Sequence, residues 1–191
     1  LHEFGHAFAC RSVGGIADRI LLWPFGGIAF VRPPARPGAE LWSIAAGPLV
    51  NVVLIPILLL LRIAVVRAGV AFDTPDVYRL VMMIGYINTA ILIFNLLPIY
   101  PLDGGQILRS LLWYPFGRIR SLQIASVIGL VGGGLLTVYA FTTGSTWLVI
   151  LTFFLLTQAV TGWRHAKALQ MEADEALQPA ATTPTERPPV L

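Results

Sequence analysis

Charged residues divide this chain into blocks. Positions 41–61 and 80–102 contain no Asp, Glu, Lys or Arg, and neither does the 43-residue stretch 121–163. Each reaches or exceeds the roughly 20 apolar residues that cross a bilayer as a helix. The pattern predicts spanning helices over about 41–62, 78–98, 122–142 and 146–164. Trp42, Trp147 and Trp163 stand at or near their ends, where an amphipathic ring suits the membrane interface. Thr142-Thr143-Gly144-Ser145 divides the longest block with a tight polar turn.

The remaining segments are shorter and more polar. Residues 1–13 (LHEFGHAFACRSV) read as the C-terminal part of a helix that Gly14-Gly15 stops. Residues 16–32 are rich in β-branched and aromatic side chains around a Pro24/Gly26-Gly27 break, which predicts a short hairpin or bent strand pair. A Pro-rich link (RPPARPGAE) leads into the first full span. Between the second and third spans, residues 103–121 hold Gly104-Gly105, a short helical run to about Tyr114, and then Arg118 and Arg120. From about residue 170 the chain turns acidic and then rich in Pro, Ala and Thr, so residues 169–191 read as a disordered tail. The expected fold is an all-α polytopic membrane protein over 1–168, a transmembrane helix bundle with a short membrane-associated β-hairpin after the first helix. No internal repeat is visible. Leu at position 1 and a motif beginning at residue 2 lead us to expect that the sequence starts partway through a longer chain.

Composition agrees with the pattern. Of the 191 residues, 56% are hydrophobic and only 12% charged, about half the roughly 25% of a soluble domain. The net charge of +3 and the Arg residues at the ends of apolar runs fit membrane topology and argue against nucleic acid as a partner. Lys and Arg also orient the chain. Arg19, Arg32, Arg36, Arg109, Arg118, Arg120, Arg164 and Lys167 lie on one side, against Arg62, Arg67 and Arg79 on the other. The positive-inside rule assigns the first group to the cytoplasm, and a bacterial plasma membrane is the expected location. The single cysteine, Cys10, excludes an intramolecular disulfide and any multi-Cys metal site.

The candidate chemistry begins at His2-Glu3-Phe4-Gly5-His6, an HExxH motif. On a helix, residues i and i+4 share a face, so His2 and His6 can present two imidazoles to one ion. Glu3 is turned away from both and stands where a general base is needed. Three ionisable groups in five residues are costly near a bilayer unless paired or metal-bound. Two histidines leave a catalytic zinc one protein ligand short. His165 sits beside Arg164 and Lys167 at a membrane exit and reads as a solvated end-cap. Cys10 reads as a packing residue, and Glu40, Asp73 and Asp76 fall in loops. Asp103 ends an uncharged block and precedes two glycines that let the backbone bend around an ion. It is either the third ligand or the N-cap of the helix that follows. Asn51, in mid-span, either hydrogen-bonds a neighbouring helix or assists substrate or oxyanion in the site. Asn95 is expected to brace the Asp103 loop, and Asn88 and Gly132-Gly133-Gly134 to serve helix packing.

Taken together, His2–His6 and Asn95-Leu96-Leu97-Pro98-Ile99-Tyr100-Pro101-Leu102-Asp103-Gly104-Gly105 closely resemble the paired signatures of the site-2 protease family of intramembrane zinc metalloproteases. Gly47-Pro48-Leu49-Val50-Asn51 is similar to that family's GPxxN element. The resemblance covers about residues 1–112, and Tyr100 departs from it where many relatives carry Pro. It implies one Zn2+ per chain held by His2, His6 and Asp103, with Glu3 as catalytic base and Asn51 in an active-site role. It also implies that segment 16–32 is a sheet pairing with an unwound substrate, as strand addition to an edge would do; otherwise that segment is a plain amphipathic loop at the interface. The function implied is hydrolysis of a peptide bond in or near the transmembrane segment of a membrane-protein substrate, by a minimal form without PDZ or CBS domain. A metal-ion transporter and a catalytically inert scaffold are the alternatives.

Overall fold

The computed structural model describes residues 1–23 and 26–177. In chain order the elements are α1 (His2–Ser12), β1 (Ile16–Trp23), β2 (Gly26–Arg32), α2 (Pro37–Arg67), α3 (Val70–Asp73), α4 (Pro75–Asn95), α5 (Asp103–Thr143) and α6 (Thr146–Leu177). Four of them, α2, α4, α5 and α6, are long and apolar enough to cross a membrane. Their outward faces carry large exposed apolar side chains such as Leu60, Ile93, Leu135, Phe141 and Phe153. Such surfaces suit hydrocarbon, where helices satisfy their own backbone hydrogen bonds and lipid covers the side chains. The protein is an integral membrane protein.

The first helix ends as its glycines require. Gly14 takes a positive φ of 83°, and the N–H of Gly15 closes back onto the Cys10 carbonyl at 2.9 Å. β1 and β2 then form an antiparallel hairpin, with a register irregularity between Ala17 and Arg19. Its Pro24 lies outside the described residues. α1 packs on the hairpin through a small core of Ala7, Cys10 and Ala17, with Ile20 and Val31 against it, so Cys10 is the packing residue expected of it.

Element boundaries differ from the sequence expectation in several places. α2 runs Pro37–Arg67 rather than 41–62, with Pro37 at its start, so Glu40, expected in a loop, lies in its first turn; Asp73 ends α3, and Asp76 lies in the first turn of α4, which begins at Pro75 rather than 78. α4 stops at Asn95 rather than 98, because Pro98 cannot continue a helix and Leu96–Leu102 form a tight loop with a cis Tyr100–Pro101 bond. Residues 115–121 are not a loop. α5 runs on through them and kinks at Gly117, whose φ of 78° and ψ of 171° are non-helical, two residues after Pro115. α6 continues to Leu177, past the predicted exit at 164 and into the stretch read as tail; the later tail residues fall outside the described ones. Inside α2, Pro48 and Pro56 are accommodated without ending the helix, as membrane helices allow.

α2 is the hub of the site. It packs against α1, α4 and α5, and α5 packs in turn against α6. Along α2, Glu40, Ser43, Gly47 and Asn51 recur at intervals of three to four residues, and all four are buried. That spacing puts them on one helix face.

Candidate active site

His2 and His6 lie on one face of α1, with ring centroids 4.7 Å apart and planes nearly perpendicular. Each ring is held by its Nδ1. His6 Nδ1 donates to the Ser43 carbonyl at 2.9 Å, and His2 Nδ1 donates to Asn51 Oδ1 at 2.8 Å. The Asn51 amide cannot turn the other way, because its Nδ2 donates to the Asn88 carbonyl while Asn88 Nδ2 donates to the Asn51 carbonyl. Both acceptors therefore fix the Nδ1–H tautomer and leave the Nε2 lone pairs free, which is how metal-binding histidines are oriented.

Those two lone pairs converge. His2 Nε2 and His6 Nε2 are 3.1 Å apart, and Asp103 Oδ2 lies 3.0 Å from the first and 3.5 Å from the second. With both rings protonated at Nδ1, the three atoms have no proton to share, and buried Asp103 Oδ2 has no hydrogen-bond donor. Mutual repulsion of this kind makes sense around a cation. Two donors bound to a tetrahedral zinc at roughly 2.0–2.1 Å stand about 3.3 Å apart, and the observed separations bracket that value. His2, His6 and Asp103 are the one group of metal-ligating side chains among the described residues.

The cradle extends to the backbone. A Cβ at Gly47 would collide with His6 Nε2 and lie 2.8 Å from His2 Nε2. Any side chain at position 47 would thus enter the space the donors enclose. Asp103 begins α5, whose N-cap position, Leu102, makes no side-chain cap hydrogen bond. The Asp103 carboxylate faces the histidines instead, in the first turn of a helix, where the macrodipole favours negative charge.

Glu3 is aimed elsewhere. Its Oε2 accepts the Ala29 N–H of β2 at 2.9 Å, so that N–H points away from β1 and toward α1. A Cβ at Gly27 would strike the Glu3 side chain. The free edge of β2 and the glutamate of the HExxH motif are therefore direct neighbours, a proximity that spacing alone does not reveal.

The loop before Asp103 is held by shape. Cβ atoms at Gly104 and Gly105 would collide with the Leu96–Leu97 and Ile99–Tyr100 backbone. The Tyr100 backbone lies close over Gly129 of α5, and its ring lies on Gly162 of α6. Gln106 Nε2 donates to the Pro101 carbonyl at 2.9 Å. Asn95 is the last residue of α4, at the start of this loop. His165 lies on α6, outside the metal-ligating group. Gly162, Gln106 and Ala29 were invisible as site-supporting residues in the sequence, since no local pattern marks them.

The profile of Peptidase family M50 matches residues 62–139. Among curated proteins, the chain is 35% identical over 130 residues to a zinc metalloprotease of Methanocaldococcus jannaschii, covering 68% of this chain and 36% of that one. It is 31% identical over 182 residues to a presumed zinc metalloprotease of Synechocystis, covering 90% and 46%. Against the stage IV sporulation protein FB of Bacillus subtilis it is 33% identical over 129 residues, covering 65% and 41%. The chain thus spans less than half the length of these relatives. Among solved structures, the site-2 protease from Methanocaldococcus jannaschii superposes with a TM-score of 0.61 at 26% identity, covering 85% of this chain and 72% of that one.

Proposed function

Since this chain carries a peptidase M50 (site-2 protease) family domain, we propose that it is an intramembrane zinc metalloprotease that cuts a peptide bond in or near the transmembrane segment of a membrane-protein substrate. His2, His6 and Asp103 are the zinc ligands in this reading, and one observation carries it: two histidines tautomerically fixed by Asn51 and Ser43 aim bare Nε2 atoms at a carboxylate oxygen that has no donor. When bound, zinc supplies Lewis acidity toward the scissile carbonyl and toward the attacking water.

The chain's own residues do the rest. Glu3 takes a proton from the attacking water and delivers it to the leaving amine. Asn51 acts through His2, holding its tautomer and ring. The edge of β2 next to Glu3 accepts substrate as an added strand, because a helical peptide bond is shielded and must be extended before it is cut. Water enters from the side bearing Arg109, Arg118 and Arg120, which the charge count assigns to the cytoplasm of a bacterial plasma membrane. The names of the relatives support hydrolysis over the transporter and inert-scaffold readings.

The test uses the detergent-purified full-length protein. Wild type should hold about one zinc per chain, and Asp103→Ala should lose it. Glu3→Gln should keep the zinc and lose cleavage of a reconstituted single-span substrate with a helix-breaking segment. Full cleavage by Glu3→Gln, or a zinc-free wild type, would refute the proposal.

A further inference from the structure

The polar seam of α2 contains one residue that the site has not yet used. Asn51 holds His2, Ser43 holds His6 through its carbonyl, and Gly47 leaves room between them. Glu40 stands on the same face one turn further toward the helix start. It is buried, and it faces Arg109 of α5, with Oε2 3.5 Å from Nη1 and both side chains largely out of solvent. Glu40 Oε2 and Arg109 Nε have no hydrogen-bond partner, so surface solvation does not explain this ion pair. Buried charges of this kind are costly to desolvate and often no more stable than a packed apolar pair, so a specifying role is the one to test.

The ligands show what that is. Each histidine is oriented by a hydrogen bond it donates to α2. Asp103 Oδ2 has none, so the position of that carboxylate depends on where the first two turns of α5 lie. Arg109 is six residues beyond Asp103 on the same helix. We propose that Glu40 and Arg109 are positioning residues for Asp103: their ion pair docks the start of α5 on the face of α2 that orients both histidines, and so sets the third donor against the other two. The inference rests on the zinc-site reading above. It assigns to one four-residue segment, Glu40 to Ser43, the registration of α5 against α1.

The experiment is a metal-affinity double-mutant cycle on the full-length protein, using Co2+ absorption and Zn2+ competition with a chelator as readouts. Glu40→Gln and Arg109→Met should each weaken metal binding about 10- to 100-fold, the range for loss of a ligand-supporting partner. In an Asp103→Ala background, which does not retain zinc through purification but whose two histidines still bind Co2+ weakly in titration, the same changes should have no further effect on that residual affinity, because the ligand they position is gone. The exchanged pair, Glu40→Arg with Arg109→Glu, should recover most of the lost affinity. Unchanged affinity in the single variants would overturn the proposal. So would an equal further loss in the Asp103→Ala background, which marks general destabilisation. A wild type that binds no metal would refute the zinc site itself, a failure distinct from either of these.

Discussion

Two halves of the metal cradle are built by different physics. On the α1–α2 side, His2 and His6 are set by the hydrogen bonds they donate to Asn51 Oδ1 and the Ser43 carbonyl. On the α5–α6 side, Asp103 is set by packing: Gly104 and Gly105 lie against the Leu96–Tyr100 backbone, and Tyr100 fills a notch at Gly129 and Gly162. Hydrogen bonds fix a tautomer and a ring direction, which an imidazole needs before it can offer a lone pair. A carboxylate has no tautomer to choose, so fixing the backbone that carries it is enough. The difference predicts that the two halves will fail in different ways.

The largest effect is expected where the halves meet. Gly47→Ala puts a methyl group into the space between the Nε2 atoms and should abolish zinc retention, measured as metal per chain, while the helices persist by circular dichroism. Retention of a full zinc would show that the donors enclose no ion at that point. Next comes Asn51→Ala, which frees the His2 tautomer and removes the Nδ2 donor to the Asn88 carbonyl. It should weaken zinc about 10- to 100-fold with little change in the Asp103 loop.

On the packing side the order of losses reverses. Gly162→Leu forces the Tyr100 ring out of its notch and should cost about 1–3 kcal/mol of stability through overpacking, read as a lower unfolding midpoint in detergent. Zinc affinity should fall less than in Asn51→Ala. A stability loss in Asn51→Ala exceeding that of Gly162→Leu would erase the distinction between the halves. The smallest effect belongs to Ser43→Ala. His6 uses the Ser43 carbonyl, and the buried hydroxyl has no partner, so its removal should leave zinc affinity unchanged and stability within about 0.5 kcal/mol.

The hairpin contrasts with both halves. Its outer edge meets Glu3 through the Ala29 N–H, so the catalytic glutamate of the proposed mechanism rests on the strand proposed to receive substrate. That contact joins the two readings of segment 16–32 to one observable, the environment of Glu3. The hairpin itself was legible from the alternation and turn residues of 16–32, whereas its approach to Glu3 needed the fold.

Much of the architecture could be read directly from the chain. Long uncharged blocks mark membrane helices because lipid tolerates few charges, and the i, i+4 spacing of His2 and His6 marks one helix face because the α-helix has a fixed period. These are local properties, written in consecutive residues. The ends of α4, α5 and α6 were less legible, since Arg118 and Arg120 fit a helix or a loop equally well until a neighbour packs beside them. The glycines were least legible of all. Gly132, Gly133 and Gly134 read as one packing run, yet Gly132 faces Ile99 of the Asp103 loop, Gly133 faces Leu156 of α6, and Gly134 faces open space. A missing side chain carries no information about what takes its place. The sequence by itself determined a membrane helix bundle with two imidazoles on one face and a carboxylate beside two glycines. Only the tertiary structure decided that one face of α2, from Glu40 to Asn51, brings them together, because contacts such as His6–Ser43 and His2–Asp103 join residues far apart in the chain, depend on how helices pack and leave no period in it.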